Sequence, residues 1–492
     1  MGAVRSLWFR ELQRYPVERV EQALGPGGRQ TAERLVQANI LRRVARGQGD
    51  PDISELLEVA PAGEPMFVFN FCGLVLAGGC LIHVYPKYLP VDTRPREAFW
   101  LAMRAVQRYE HHRRQHLSLA DRRAEGGDFL ATVLALLADY RMHGLYRVAD
   151  EEIEINGQGD TDWQRTLERY QPAFIRTPQG RRPLYMERET VRRRTDEENF
   201  FRLVQMACLN GCAELVRTLE LTSLVNVQGV RFPGVKAPAS RHYMLRRLRQ
   251  ELGRQFSEQR RTVLRLLILY LEQGGGHAQA GRVVFYGTNA MEAVWEEAVR
   301  EVFSDRLHTR IGDIAVLPEA KRAACPYRQK QLIDIIGRPS WTPCGGQGIA
   351  VDTLIPDTVA ITEDTFLIYD AKYYTPAVRA GTADRRGSIT GQPGLESVTK
   401  QYLYQMAYAE FLQDFGLTQV QNVFLLPLRH EEGGPLARPL ASVSFPLLEQ
   451  YTHTPLRAIQ VDADALWQAY VEQKHIDVRE LAWEELAEEH TS

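Results

Sequence analysis

One stretch of this chain, residues 357–374, reads DTVAITEDTFLIYDAKYY and predicts a β-hairpin that brings acidic and basic side chains together. Two runs rich in β-branched and aromatic residues flank Glu363-Asp364, and a two-residue turn there pairs residues whose numbers sum to a constant. In that register Asp357 lies opposite Asp370. Because side chains alternate along a strand, Asp370 and Lys372 share one face. The hairpin therefore predicts three ionisable groups at one point.

Two carboxylates that face each other across strands repel by about 0.2–1 kcal/mol in a solvated sheet, unless a cation lies between them. A divalent metal ion meets that need, and oxygen ligands without a neighbouring His or Cys favour Mg²⁺ or Mn²⁺ over Zn²⁺. Asp357 and Asp370 are therefore candidate metal ligands, and Lys372 is a candidate catalytic group that stabilises charge on a phosphate or orients a water. The alternative is a solvated hairpin with an Asp370–Lys372 salt bridge, against which the apolar run TFLIY argues.

At this point the chain resembles the PD-(D/E)XK nuclease superfamily, with Pro356-Asp357 as the PD element and Asp370-Ala371-Lys372 as the (D/E)XK element. More narrowly, it resembles the LlaJI-type restriction endonucleases, relatives of the McrC subunit of the modification-dependent McrBC system. Four segments carry the narrower resemblance: GLVLAGGCLIHVYPKYLP from Gly73, INGQGDTDWQRTL from Ile155, YGTNAMEAVWEEAV from Tyr286, and the hairpin together with KQYLYQMAYAEF from Lys400.

The resemblance implies a role for a glutamate on the helix that precedes the hairpin. Apolar positions recur at helical spacing over residues 291–307 and predict an amphipathic helix. In this superfamily such a helix often contributes a glutamate to the metal or its water. Of Glu292 and Glu296, which lie one turn apart, Glu296 is the better match. A solvated helix face is the alternative, and Asn289 or Thr288 is the expected helix cap.

A second helix is predicted after the hairpin, over residues 396–413, with Gln401, Gln405 and Tyr408 on or near one face. Related nucleases place a Gln and a Tyr there, whose polar ends orient the catalytic lysine, a metal ligand or the DNA backbone. The resemblance favours Gln405 as a further catalytic residue. In those nucleases the Tyr follows four residues after the Gln, but Ala409 stands at that position here. Aromatic packing under the sheet is therefore the alternative for Tyr408.

Two basic segments are candidate DNA contacts. The formal net charge is −2, so any DNA-binding surface must be a local patch. Residues 375–398 predict a loop beside the metal site that carries Arg379, Arg385 and Arg386. Residues 241–265 are strongly basic with helical apolar spacing. One solvated face of a bundle helix, paired with acidic neighbours, is the alternative for that segment.

Cysteine, histidine and hydropathy patterns add expectations about redox state and location. The six cysteines show no repeated CxxC pairing and no histidines at zinc-finger spacing, which predicts buried reduced thiols. The His-rich stretch 109–116 is expected on a solvated helix face rather than at a metal. No apolar run reaches the roughly 18 residues of a membrane span, and the N-terminal sequence MGAVRSLWFRELQR lacks the apolar region of a signal peptide. We therefore expect a cytoplasmic protein.

The chain is long enough for several cores, and its patterns predict a multi-domain mixed α/β (α+β) protein. The cleavage domain is expected to hold a PD-(D/E)XK core, a mixed sheet flanked by helices. We expect four parts: an N-terminal recognition or partner module over residues 1–127, a mainly helical linker domain over 128–276, the endonuclease domain over 277–457, and an acidic helical tail over 458–492.

Individual elements are also predicted within these parts. The N-terminal module is expected to contain a helix over Thr31–Val44 and a hairpin that turns at Ala77-Gly78-Gly79-Cys80. The endonuclease domain is expected to begin with the strand RVVFYG. Its sheet is expected to be completed by residues 424–428 and 441–445.

Together, residues and resemblance predict a Mg²⁺- or Mn²⁺-dependent deoxyribonuclease of type II or IV-like restriction, which hydrolyses phosphodiesters of double-stranded DNA in anti-phage defence. The resemblance implies an oligomeric assembly with a McrB-like AAA+ GTPase motor, and no G-x-x-x-x-G-K-[ST] phosphate loop occurs in this chain. A RecB-like DNA repair nuclease shares the site chemistry. A non-cleaving adapter that binds DNA or stimulates an NTPase is the alternative from another class, and the intact set of Asp357, Asp370 and Lys372 argues against it.

Overall fold

Two compact units make up the chain, one formed by residues 1–126 with 280–492 and the other by residues 127–279. The first unit therefore contains both ends of the chain. The computed structural model describes residues 5–44, 65–91, 93–116, 129–146, 149–157, 160–178, 180–195, 200–219, 221–223, 225, 227–273, 283–344, 346–379, 388–429, 434–452 and 454–481.

The predicted mixed α/β class is confirmed by the elements of the described residues. The strands in chain order are β1 (Arg5–Arg10), β2 (Arg14–Pro16), β3 (Leu41–Val44), β4 (Met66–Phe69), β5 (Cys72–Ala77), β6 (Cys80–Tyr85), β7 (Ala149–Ile155), β8 (Asp160–Thr161), β9 (Ala173–Thr177), β10 (Gly180–Leu184), β11 (Glu189–Thr195), β12 (Val284–Thr288), β13 (Ser340–Trp341), β14 (Ile349–Ala350), β15 (Thr358–Ile361), β16 (Thr365–Ala371), β17 (Ala377–Arg379), β18 (Ser388–Thr390), β19 (Gln419–Leu428), β20 (Ala437–Val443) and β21 (Leu456–Asp462). The α-helices are α1 (Val17–Leu24), α2 (Gly28–Gln37), α3 (Arg96–His116), α4 (Phe129–His143), α5 (Trp163–Arg169), α6 (Phe200–Thr218), α7 (Arg241–Arg254), α8 (Glu258–Glu272), α9 (Met291–Val302), α10 (Glu319–Ala324), α11 (Leu395–Ala407), α12 (Ala409–Phe415), α13 (Pro446–Thr452) and α14 (Ala463–Glu472).

A five-stranded mixed sheet with the order β15-β16-β19-β21-β20 forms the centre of the C-terminal part. The β15–β16 and β21–β20 pairs are antiparallel, and the two inner pairs are parallel. Both strands of the hairpin are buried along their whole length, because helices cover both faces of the sheet. Tyr369 contacts Phe303 just after α9, whereas Phe366 contacts Tyr408 just after α11. Odd and even residues of β16 therefore face different helices, as side-chain alternation requires.

The hairpin predicted from the sequence is confirmed in its register. Thr358 pairs with Tyr369 and Ile361 with Phe366, so the paired numbers keep a constant sum. The amide N–H of Thr362 donates to the carbonyl oxygen of Thr365 at 3.0 Å and closes the turn at Glu363-Asp364. The predicted strand 424–428 lies within β19, and the predicted strand 441–445 overlaps β20. Strand β21, which lies between these two in the sheet, was not predicted.

The N-terminal part contains two further sheets, with the orders β1-β6-β5-β12 and β2-β4-β3. The predicted hairpin is confirmed, since Ala77 pairs with Cys80 around two glycines of positive φ. The predicted helix over Thr31–Val44 is shorter: α2 ends at Gln37 and residues 41–44 form β3. Asn39, which has a φ of +56°, redirects the chain between them.

The predicted opening strand of the endonuclease domain exists as β12, but it pairs with β5 of the N-terminal part. Strand β21 likewise extends the central sheet across the predicted boundary at residue 457. The predicted linker domain over 128–276 nearly coincides with the second unit, residues 127–279, whereas the other three predicted parts lie together in the first unit. The physical reason is that strand partners are chosen across long sequence separations, which local patterns do not record.

The β5–β12 pair contains a backbone contact that requires glycine on both strands. Gly73 lies opposite Gly287, and their φ angles are +153° and +150°. A Cβ atom on Gly287 would lie 2.1 Å from the carbonyl oxygen of Cys72, and one on Gly73 would lie 2.2 Å from that of Tyr286. The ring of Phe71 occupies the remaining space beside both glycines.

We expect Gly287→Ala to lower the free energy of unfolding by about 1–3 kcal/mol or more, because backbone atoms must move to admit the methyl group. Urea denaturation measures this loss. Gly253→Ala is the matched control, since no atom lies within 4 Å of its Cβ position in α7 and alanine favours a helix. Equal effects of the two substitutions would contradict the close contact.

The described residues of the second unit form five α-helices and five strands. Helices α4, α6 and α8 bury their apolar faces against one another. The unit is mainly helical, as predicted, but residues 149–195 also contain the strands β7–β11, which were not predicted. The predicted basic helix over 241–265 is two helices, since Gln255 and Ser257 adopt extended backbone between α7 and α8.

Some of the arginines on these two helices form ion pairs with glutamates of α8. Arg249 of α7 forms an ion pair with Glu272 of α8 at 2.6 Å, and Arg265 pairs with Glu258 at 3.0 Å. The solvated, acid-paired interpretation of this basic segment therefore agrees with the structure better than a free DNA-binding face.

Two expectations about the whole chain are also answered. Five of the six cysteines are buried as free thiols, as predicted, but Cys344 is exposed. Within the described residues, no helix combines the length and the apolar character needed to cross a membrane.

Candidate active site

Asp357, Asp370 and Lys372 meet at one end of the hairpin, as the sequence predicts. Asp357 directly precedes β15, and its Oδ2 accepts a hydrogen bond of 2.9 Å from the amide N–H of Ala371 on β16. The Nζ of Lys372 lies 2.8 Å from Oδ2 of Asp370 in an ion pair. The Asp370 side chain is only 9% exposed and that of Lys372 22%. The solvated hairpin is therefore excluded, whereas the predicted salt bridge is present inside a buried cluster.

Helix α9 brings Glu296 to this cluster. The predicted apolar stripe of the helix is buried, which fixes its rotation about its own axis. The indole Nε1 of Trp295 donates to the carbonyl oxygen of Leu425 at 3.2 Å, and the same oxygen accepts the amide N–H of Lys372 at 3.0 Å. This shared acceptor holds the helix against the strand that carries the lysine, and Glu296 follows Trp295 directly.

The predicted cap of this helix is wrong. Ala290 precedes the first turn and no side chain caps it. Thr288 instead accepts the amide N–H of Ala290 through Oγ1 at 3.0 Å. The amide N–H groups of the first turn therefore gain no hydrogen bond from a capping side chain.

Electrostatic coupling shows how close these groups lie. Burial, and then the charge of Asp370, raise the pKa of Asp357 to about 7. Burial also raises the pKa of Glu296. The charge of Lys372 lowers this pKa and the charge of Asp370 raises it, and the net shift is upward. For Lys372 burial lowers the pKa, but the charges of Asp370 and Asp357 outweigh it and raise the pKa overall. Three carboxylates therefore share one lysine.

The cluster fits a divalent cation. Oδ2 of Asp370 is buried and receives no hydrogen bond apart from its ion pair with Lys372. A carboxylate whose pKa is raised by a second carboxylate gains most from a nearby cation. The available donors are carboxylate oxygens, the type that Mg²⁺ and Mn²⁺ prefer. Asp357, Asp370 and Glu296 would hold such an ion.

The structure places the predicted helix residues differently from the expectation. Gln405 accepts from Nδ2 of Asn422 and donates to the carbonyl oxygen of Thr452, both at 3.4 Å, so none of its hydrogen bonds reaches the cluster. Tyr408 is fully buried, contacts Phe366 and donates to the carbonyl oxygen of Leu332 at 3.3 Å. The packing alternative for Tyr408 is thus the correct one.

Tyr404, which the sequence analysis did not select, lies beside the cluster. Burial raises the pKa of its hydroxyl, and the charges of Asp370 and Asp357 raise it further. The hydroxyl donates to the carbonyl oxygen of Ile355 at 2.9 Å, just before the PD element. Gln401, one turn earlier, is fully buried with its amide group without a hydrogen-bond partner. Tyr404 lies three residues after Gln401 and so shares its side of the helix. The sequence analysis did not select it, because related nucleases place the Tyr four residues after the Gln.

Two further predictions concern residues near the site. Arg379 ends β17, whereas Arg385 and Arg386 lie outside the described residues. His112 is half-exposed, and its Nδ1 lies 3.2 Å from Oε1 of Glu297 and 3.4 Å from Oε1 of Glu301. These three groups could together hold an ion, but Tyr470 donates to Glu297 at 2.6 Å and Arg108 pairs with Glu301. Glu297 is therefore hydrogen-bonded to a hydroxyl, and Glu301 is ion-paired with an arginine, without a metal ion.

The fold and the cluster define a mixed α/β protein with a partly buried site of three carboxylates and one lysine. The family described as LlaJI restriction endonuclease matches residues 71–313 and 325–450. The chain belongs to this family, and it is therefore a component of a restriction system.

Individual relatives are more distant. The "Type II restriction enzyme BsuMI component YdjA" of Bacillus subtilis (strain 168) is 22% identical over 493 residues, which cover 97% of this chain and 91% of that protein. Among solved structures, McrB AAA+ hexamers with bound McrC from Thermococcus gammatolerans match 95% of this chain and 99% of the other at 12% identity and a TM-score of 0.34. The McrBC complex of the same organism matches 60% and 85% at 13% identity and a TM-score of 0.26. TM-scores this low support no inference about this chain.

Proposed function

We propose that this chain is the DNA-cleaving subunit of its restriction system, a Mg²⁺- or Mn²⁺-dependent endonuclease of the PD-(D/E)XK type. The observation that carries the proposal is the convergence of the buried Asp370 and the half-buried Asp357 and Glu296 around Lys372. Such a cluster is costly to bury unless a cation and an anionic substrate complete it. Membership of a restriction endonuclease family supports the same activity.

Each residue has a distinct part in the proposed reaction. Asp357, Asp370 and Glu296 hold the ion, which when bound polarises the phosphate and acidifies a water. The backbone N–H of Ala371 fixes the orientation of Asp357. Lys372, kept protonated by its acidic neighbours, stabilises the charge that develops on the phosphate oxygens. Tyr404 holds the backbone at Ile355 and with it the approach to the PD element.

We further propose that the chain works with an AAA+ GTPase in an oligomeric assembly. This chain has no phosphate-loop motif of its own, so nucleotide hydrolysis would be supplied by a partner. The resemblance to McrC-type proteins supports a McrB-like motor as that partner.

Cleavage of methylated and unmethylated plasmid with Mg²⁺ tests the proposal, with and without the AAA+ protein and GTP. Internal double-strand cuts are expected, and cutting that requires GTP would support the motor. Absence of cutting by the wild type in every combination, while it binds DNA or stimulates GTP hydrolysis, would establish a non-cleaving adapter instead.

The metal affinity should depend on pH through Asp357. Its pKa is raised from 3.8 to about 7, so below that pH a proton competes with the ion. The apparent affinity is expected to rise by up to about tenfold per pH unit towards pH 7 and then to level off. Because the folded-state pKa is raised, the same group lowers the stability of the metal-free protein as pH rises from 3.8 to about 7.

Titration calorimetry with Mn²⁺ on either side of this pKa measures the effect. Asp364→Asn, in the exposed turn of the same hairpin, is the matched control and should leave the pH dependence unchanged. An affinity that does not vary with pH below about 7 would show that Asp357 is not a ligand.

A further inference from the structure

A groove of about 650 Å³ lies beside the Asp357 side of the candidate site, within the first unit. Its walls are the end of α9, the segment that follows it, α14, and one side chain of α3. Basic residues predominate among its described lining: Arg108, Arg300, Arg306 and Lys474, with His475, face two acids, Glu301 and Asp305.

Most of the other charges in the groove are already neutralised. Arg108 forms an ion pair with Glu301, and Lys474 pairs with Glu472 at 2.6 Å. Asp305 accepts the amide N–H groups of Leu307 and Val359 at 3.1 and 2.8 Å.

Arg300 and Arg306 differ from these groups. Both are exposed, and no carboxylate of the described residues forms an ion pair with either. The groove therefore presents two exposed guanidinium groups that form no close ion pair with a described carboxylate, although the charge of Arg300 also acts on Asp305 and Glu296.

The groove is continuous with the catalytic cluster through Arg300. The Nε of Arg300 donates to the carbonyl oxygen of Asp357 at 3.3 Å, and Arg300 lies one helical turn after Glu296. The amide N–H of Arg306 donates to the carbonyl oxygen of Val359 at 2.7 Å, on the strand that Asp357 begins. The guanidinium group of Arg300 and the main chain of Arg306 are thus held next to Asp357, the proposed metal ligand.

We propose that Arg300 and Arg306 bind the phosphate backbone of the DNA strand next to the cut, and that the groove sets the path of the duplex into the site. The inference rests on the proposed nuclease function. A guanidinium group without a close ion pair matches a phosphate in both charge and geometry, and each neutralised phosphate releases counter-ions. The groove selects a polyanionic backbone and reads no base sequence.

The salt dependence of DNA binding tests this assignment without cleavage. Anisotropy of a labelled duplex, measured with the full-length protein in chelator, gives the Kd over a range of salt. Each of Arg300→Ala and Arg306→Ala is expected to weaken binding roughly tenfold and to reduce the slope of log Kd against log salt by about one, with the double variant reducing it by about two. Arg29→Ala, an exposed arginine of α2 paired with Glu33 at 3.6 Å, is the matched control and should leave the slope unchanged.

The outcomes separate this inference from the function on which it rests. If the wild type cuts DNA and the arginine variants have the Kd and salt slope of the wild type, the groove does not bind the DNA backbone, but the nuclease function stands. Reduced slopes in the variants, together with no cutting by the wild type under any metal condition, would support the groove and refute the nuclease. An unchanged slope with a lowered melting temperature would assign the arginines a structural role and also overturn the inference.

Discussion

Replacing Asp370 with Asn is expected to abolish DNA cleavage and, at the same time, to stabilise the metal-free protein. The two effects have one cause, since Asp370 is a buried carboxylate whose charge raises the pKa of both Asp357 and Glu296. Removing one negative charge relieves a repulsion worth about 0.2–1 kcal/mol or more. Removing the same charge also removes a metal ligand, so cleavage should fall by at least about 10³-fold.

Lys372→Met should separate the two effects. Cleavage is expected to fall by about 10²–10³-fold because charge on the phosphate is no longer neutralised. Stability should fall as well, since Asp370 and Asp357 lose the cation that partly balances them. We therefore expect Asp370→Asn to be more stable than the wild type, Lys372→Met to be less stable, and both to lose cleavage. This combination indicates a site whose negative charges lower stability but are needed for function.

Thermal unfolding with and without Mn²⁺ measures these shifts. The ion should raise the melting temperature of the wild type and leave that of Asp370→Asn nearly unchanged. Asp364→Asn, which removes an exposed carboxylate from the turn of the same hairpin, should behave as the wild type in every assay. If Asp370→Asn destabilises the protein as much as Lys372→Met does, the two residues form a structural salt bridge rather than part of a metal site.

The parts of the site that could be predicted from the sequence are those fixed by local geometry. The register that sets Asp357 opposite Asp370 follows from the length of one turn, and the structure confirms it. The burial of α9 follows from its apolar period, which orients Glu296 once the helix exists. Both rest on contacts between residues close in sequence or on a single helical repeat.

The parts that could not be predicted depend on distant partners. Strand β12 was recognised as a strand, but its pairing with β5 joins residues more than 200 positions apart. Strand β21 was overlooked although it lies between β19 and β20. On α11, helical spacing limited the candidate catalytic residues to one side of the helix. Which of those side chains lies beside Asp357 and Asp370 depends on how the helix packs against the sheet. Gln405 contacts Asn422 instead, and Tyr404 lies beside the site.

A buried group of charges joins the N-terminal part to the residue after Lys372. The hydroxyl of Tyr373 donates to Oε2 of Glu11 at 2.8 Å, and the same oxygen accepts the amide N–H of Lys87 at 3.2 Å. The Nζ of Lys87 lies 4.9 Å from the centre of the Tyr373 ring and 5.4 Å from that of Tyr374. Glu11, Lys87 and Tyr373 are each 5% exposed. Burial raises the pKa of Glu11, while Lys87 opposes that rise.

Glu11→Ala should therefore cost about 3–5 kcal/mol of unfolding free energy, because it removes the acceptor of the Tyr373 hydroxyl and of the Lys87 amide N–H, together with the negative charge that offsets the buried lysine. Tyr373→Phe should cost about 1.5–3 kcal/mol, since one hydrogen bond to a charged group is lost. The double variant Glu11→Gln/Lys87→Met removes both charges and should recover most of the stability lost in Glu11→Gln alone or in Lys87→Met alone. Urea denaturation of the wild type, these two single variants and the double variant measures the coupling. If the two single losses simply add in the double variant, the residues are not coupled.

The stabilised double variant then tests whether this contact also positions the lysine. Tyr373 follows Lys372 directly, so a shift of the Tyr373 ring moves the ammonium group relative to the phosphate. If the N-terminal part holds the lysine in place, the double variant should fold and bind DNA with unchanged KM but show a lowered kcat. Wild-type kcat in a protein of wild-type stability would instead confine Glu11 and Lys87 to holding the two parts of the fold together.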